Sequence, residues 1–139
     1  MALLLVRHAS AGNRLAWDGD DRERPLDPSG ITQSRHLVAL LKRFEVDAIY
    51  TSPYRRCIQT IEPLAAARLL GIDSREELGE EEQSEAGAKF VRSLARENVV
   101  VCGHGGLEAA VVRQPPKWRK GDTLVLDDDL RVVEVLRQP

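Results

Sequence analysis

The chain has 139 residues, 42% of them apolar and 30% charged, a length and balance that suit one globular domain over residues 1–139. Its formal net charge of −2 excludes a protein held to nucleic acid by an excess of positive charge. Two cysteines, Cys57 and Cys102, are too few for a disulfide-stapled secreted domain, and no apolar run approaches the roughly 18–20 residues that cross a membrane. The opening Met1-Ala2-Leu3-Leu4-Leu5-Val6 stops at Arg7 with no basic segment before it, so it does not read as a signal peptide. A cytoplasmic protein with neither nucleic-acid nor membrane partners is expected.

Leu3 to Val6 is a short unbroken apolar run, as in a strand buried on both faces of a parallel sheet. Ala9 to Asp27 lacks periodicity and reads as a long loop, a length that usually has a function. Asp27-Pro28-Ser29-Gly30 starts a helix capped by Asp27 or Ser29, with Ile31, Leu37, Leu40, Leu41 and Phe44 at helical spacing. Val46 to Tyr50 is a second strand. A helix from Tyr54 to Leu70 follows, with Pro53 near its first turn and Gly71 ending it. Ile72 to Arg75 is a weak third strand, and the acidic stretch Glu76 to Glu85 leads into a helix bearing Phe90, Val91 and Leu94. Val99 to Cys102 is the clearest buried strand. A short helix over Leu107 to Val112, Pro115-Pro116, and a terminal hairpin of Thr123–Leu126 and Arg131–Leu136 complete the chain. This alternation predicts an α/β three-layer sandwich: a mostly parallel central sheet, one antiparallel edge and helices on both faces.

His8 and His104 each lie just beyond the end of a strand, where open α/β sheets bind ligands. If the first and fourth strands are neighbours, the two imidazoles face each other. Arg7 precedes His8, Arg55-Arg56 follow the second strand, and Arg14, Arg22 and Arg24 lie in the long loop. Guanidinium forks suit phosphate oxygens, and Gly103, Gly105 and Gly106 permit close backbone approach to a ligand. Histidines ringed by arginines favour a phosphate site over a metal site, and no spaced metal-ligand set is present. His36 and Arg55 read as ordinary helix residues, and the cysteines as core residues. Trp17 and Trp118 read as loop covers before ring-stacking partners.

Leu4-Leu5-Val6-Arg7-His8-Ala9 resembles the R-H-G signature of the histidine phosphatase (phosphoglycerate mutase-like) superfamily, with Ala9 in place of glycine. Thr51 to Thr60 resembles its S-P-x-x-R-A-x-Q-T segment, and Val101 to Gly106 its second-histidine motif. Arg24-Pro25-Leu26-Asp27-Pro28-Ser29-Gly30 resembles the R-P-L-x-x-x-G element of the SixA-type branch, which includes phosphatase domains fused to Nudix hydrolases. The resemblance implies a metal-independent phosphatase without a cofactor. His8 would be the covalent nucleophile, and Arg7, Arg56 and His104 would cradle the phosphoryl oxygens. Glu80 would be the proton donor, with Glu81 as substitute, and Arg24, Arg14 and Gly105 would contribute to substrate binding. The implied partner is a phosphorylated small molecule or a phosphohistidine protein. SixA-like phosphohistidine hydrolysis leads; nucleotide or diphosphate hydrolysis and a non-catalytic phosphate-binding module are the alternatives.

Overall fold

A computed structural model of the chain describes residues 1–80 and 85–139. Six strands form one sheet: β1 (Leu3–Arg7), β2 (Ala48–Thr51), β3 (Ile72–Ser74), β4 (Val99–Gly103), β5 (Thr123–Leu126) and β6 (Val132–Leu136). Their order is β3-β2-β4-β1-β5-β6. The first four in that order are parallel; β5 runs antiparallel to β1, and β6 antiparallel to β5.

The helices are α1 (Pro28–Leu40), α2 (Arg55–Arg68), α3 (Glu85–Ser93) and α4 (Leu107–Val111). Successive strand residues point to opposite faces, and the two continuous aliphatic strands feed two cores. Leu4, Val6, Val100 and Cys102 pack with Leu37, Cys57, Ile61 and Leu64 on the α1–α2 side. Leu3, Leu5, Val99 and Val101 pack with Val91, Leu107 and Trp118 on the α3–α4 side. Burying each of these large aliphatic side chains contributes about 1.5–3 kcal/mol, which explains why β1 and β4 occupy the middle of the sheet. The expected three-layer α/β architecture is the one observed. No helix among the described residues is long and apolar enough to cross a membrane.

Local differences from the sequence reading have physical causes. The loop after β1 contains two 3-10 turns, Arg14–Ala16 and Asp21–Glu23, capped by the side chains of Asn13 and Asp20. Asp27, rather than Ser29, caps α1: its Oδ1 accepts from Gly30 N at 2.8 Å. Pro53 lies outside α2, because Ser52 Oγ accepts from Tyr54 N at 3.2 Å and turns the chain before helical geometry begins. The left-handed residue ending α2 is Leu69, two positions before Gly71. Gly30 is fixed by contact, since a Cβ there would lie 1.9 Å from Ser10 O. Helix α1 thereby packs directly on the backbone that follows β1.

Candidate active site

Strands β1 and β4 pair with Arg7 opposite Gly103, so His8 and His104 leave the sheet at the same level. His8 N donates to Gly103 O at 3.0 Å, and the two rings meet edge to face with centroids 5.3 Å apart. His8 Nδ1 lies 2.8 Å from Ala9 O. A carbonyl only accepts, so Nδ1 bears the proton and Nε2 of the neutral ring keeps its lone pair. Burial above all, then the charges of Arg56, Arg7 and Lys120, push the His8 pKa down to about 3, against the opposing pull of the Ala9 bond.

His104 is fully buried. Its Nε2 meets Ser52 Oγ at 2.8 Å, and Ser52 Oγ already accepts from Tyr54 N. His104 Nδ1 is buried and has no hydrogen-bond partner among the described residues. Burial, followed by repulsion from His8 and Arg56, lowers its pKa to about 2.

Both shifts have the same consequence for stability. The unfolded chain binds protons on these rings near pH 6.5, whereas the folded chain resists until about pH 3 and about pH 2. Their contribution is therefore complete above pH 6.5 and is lost as pH falls through that window, at up to about 1.4 kcal/mol per pH unit for each ring. Urea unfolding at pH 7, 6, 5 and 4.5 is expected to show the decline starting near pH 6.5, above the range in which Asp21 and Asp27, both depressed below 3.8, titrate. A flat profile from pH 7 to 5 would contradict the neutral-pair geometry.

The S-P-x-x-R-x-x-Q-T segment works as a set of fasteners around these rings. Ser52 orients His104. Arg56 is fully buried, with its NH groups on Asp21 O at 2.8 Å, Asp21 Oδ2 at 3.1 Å and Glu80 Oε2 at 2.8 Å. Gln59 Oε1 accepts from Leu26 N, and Thr60 Oγ1 accepts from Ala9 N. The Ala9 side chain is buried against Ala11 and Leu26, and its backbone has no positive φ, so alanine replaces the motif glycine without strain.

A pocket of about 510 Å³ opens above the histidines. Arg7, His8, Arg14, Arg24, Glu80 and Gly105 all line it, while Arg56 and His104 are fully buried and do not. Arg7 NH1 donates to Trp118 O at 2.6 Å, and a Cβ at Gly105 would sit 2.9 Å from Arg7 NH2, so a larger residue there would push this guanidinium aside. Glu80 Oε2 accepts from Arg14 at 2.5 Å as well as from Arg56. Arg24 is nearly buried, donating from Nε to Asp21 at 2.9 Å and from NH1 to Ala11 O. Glu81 lies outside the described residues. Among the described residues no group of three or more His, Cys, Asp or Glu side chains gathers as metal ligands.

Sequence reasoning missed two residues. Lys120 lines the pocket from the turn before β5, and Asp21 ties Arg14, Arg24 and Arg56 together. Trp118 is a cover, buried with Nε1 donating to Asp122 O at 3.0 Å.

A paired, neutral histidine couple at adjoining parallel strand ends, walled by arginines, is the arrangement the motifs imply. The sequence model described as histidine phosphatase superfamily (branch 1) matches residues 3–83. The chain belongs to the histidine phosphatase superfamily. It is 39% identical over 156 aligned positions to an 8-oxo-(d)GTP phosphatase of Mycolicibacterium smegmatis, an alignment covering 99% of this chain and 48% of that protein. The chain thus spans about half the length of this curated relative. In fold it is similar to the protein histidine phosphatase SixA complexed with tungstate (TM-score 0.80, 21% identity, 98% of this chain and 96% of that one). It is also similar to the alpha-ribazole phosphatase of Shigella flexneri (TM-score 0.73, 17% identity, 99% and 96%). At these identities the two structures share the superfamily fold with this chain.

Proposed function

We propose that residues 1–139 form one phosphatase domain that hydrolyses its substrate through a covalent phosphohistidine on His8. The observation that carries this reading is the Nδ1 bond to Ala9 O, which leaves Nε2 unprotonated in a cation-lined pocket. Nε2 attacks phosphorus, and the bond from phosphorus to the leaving-group oxygen breaks. Water then bonds to phosphorus, the P–N bond breaks, and both water protons leave with the inorganic phosphate, restoring neutral His8. Arg7 on the pocket wall and the His104 imidazole beside His8 would stabilise charge on the transferring oxygens, and Arg56 adds its field. No metal ion is assigned a role.

Glu80 engages two guanidinium groups through one oxygen, which supports a role holding Arg14 and Arg56 over one as proton donor. Substrates that depart as phosphate or diphosphate anions need little help from an acid. That chemistry, and the mycobacterial relative named as an 8-oxo-(d)GTP phosphatase, favour a nucleoside polyphosphate as substrate. A phosphohistidine protein is the second reading, favoured by likeness of fold to SixA alone.

The test is to incubate the chain, with chelator present, with a nucleoside triphosphate labelled in its terminal phosphoryl group, and separately with a phosphohistidine peptide. Alkaline quench and peptide mapping should place acid-labile label on His8. Turnover with no label on that peptide would refute the covalent route. Tight phosphate binding without turnover of either substrate would make the domain a binding module. Lys120 is exposed and shares in depressing the His8 pKa, so it is positioned to attract the polyanion. Lys120→Ala is expected to raise KM for a nucleoside triphosphate about fivefold with kcat little changed, and added salt should shrink the effect. An unchanged KM at low salt would remove Lys120 from substrate binding.

A further inference from the structure

A second groove, of about 240 Å³, adjoins the phosphoryl pocket and shares Gly12, Asn13 and Arg24 with it. Its other walls are mostly apolar, Ala11, Ala16, Trp17, Pro25 and Leu26, with Asp27 as the one carboxylate. Trp17 is 38% exposed, the larger of the two tryptophans' exposures, and its indole is held in place. Nε1 donates to Asp20 O at 2.9 Å, and Asp20 is itself fixed because its Oδ1 accepts from Arg22 N at 2.9 Å. The loop under the groove is tied to the core by Gln59 at Leu26 N and by Arg24 at Ala11 O.

A tryptophan that only covers a loop turns its apolar face inward. Here the hydrogen-bonding edge is satisfied by the backbone, and part of the ring stays open beside an anion site. A fixed aromatic face loses little freedom when a second ring stacks on it. Asn13 presents a polar group at the junction of the two cavities, held there because its Oδ1 accepts from Leu15 N at 2.9 Å.

We propose that the Trp17 groove is the subsite for the planar ring of the substrate, and that the ligand it takes is a nucleobase whose phosphates extend across Arg24 towards His8. The inference rests on reading the His8 pocket as the phosphoryl site. It deepens that reading by giving the base of a nucleoside polyphosphate its own subsite, in the groove beside Arg24.

Two measurements test it. In the first, GDP and inorganic tripolyphosphate are compared as substrates, and the ratio of their kcat/KM values is the readout. Trp17→Ala is expected to lower the GDP-to-tripolyphosphate ratio about tenfold, and Trp17→Phe, which keeps a stacking face, to restore most of it. A ratio unchanged in Trp17→Ala overturns the proposal. In the second, guanosine and GDP are titrated against the intrinsic tryptophan fluorescence of the intact chain, with tripolyphosphate as the ring-free control. Quenching by GDP but not by tripolyphosphate, absent in Trp17→Phe, is expected because Trp118 is buried. Equal quenching by both probes, or quenching that survives in Trp17→Phe, overturns it. The second measurement needs no turnover, so a chain that hydrolyses nothing would sink the phosphatase reading while fluorescence still decides the ring subsite.

Discussion

His8→Ala is expected to lower kcat on any substrate the chain turns over by about 10⁴-fold or more, the scale seen when a covalent nucleophile is removed. The loss cannot be spread over neighbours. Ala9 O fixes the tautomer of His8, whereas His104 Nε2 is engaged by Ser52 Oγ and Cys57 Sγ and the His104 ring does not line the pocket. Near pH 5, below the unfolded pKa of 6.5, the variant should lose less stability than the parent does, because it removes a ring whose burial opposes its own protonation. Steady-state rates with an aryl phosphate and a nucleoside triphosphate, set beside thermal unfolding, separate the two effects. Activity within tenfold of the parent, in a folded variant, would remove His8 from the chemistry. Activity that falls together with the melting temperature would indicate a structural histidine.

The second large effect concerns Gly30. In an ordinary helix, Gly→Ala gains about 1 kcal/mol from propensity. Here the new Cβ would stand 1.9 Å from Ser10 O and 2.9 Å from Ser10 C, and both are backbone atoms that cannot rotate away. Helix α1 or the segment after His8 must shift. That segment is bound on several sides: Ser10 N donates to Gln33, Ser10 Oγ donates to Asp27, and Asp27 N donates to Ser10 O. Gly30→Ala is therefore expected to destabilise by about 3 kcal/mol or more, outweighing propensity. The melting temperature should drop by roughly 10 °C for a chain of this size. Activity should suffer as well, since Ser10 lies two residues beyond His8. A variant as stable as the parent would show that the approach of α1 to Ser10 is looser than described.

The parts of this molecule legible in the sequence are those written in local patterns. Unbroken aliphatic runs gave β1 and β4, and two histidines just past such runs led to one site once those strands proved to be neighbours. Ser52, Gln59 and Thr60 were visible as letters of a motif, but what each one holds was not. Their partners, His104, Leu26 and Ala9, meet them because α2 packs against β2, β3 and β4. Asp21 and Lys120 had no pattern at all. Asp21 sits in an aperiodic loop and matters because three arginines converge on it. Lys120 reaches the pocket because Gly121 N donates to the carbonyls of Arg7 and His8, a meeting of segments more than a hundred residues apart. Charge convergence of this kind is a property of the folded surface, and no window along the chain contains it.

The placement of β1 between β4 and β5 also governs how the protein must be made. The strand that leads into His8 is made before either of its neighbours, because both its hydrogen-bonding edges belong to partners that lie about a hundred residues later, at Val99–Gly103 and Thr123–Leu126. Until those partners are made, this greasy ribbon has no edge to dock on. Sheet closure is thus a late, long-range event with a high loop-closure cost, and the nascent chain is exposed to association until it occurs. The two histidines come together in that same event, so a chain halted before β4 has emerged holds one ring of the pair and no pocket.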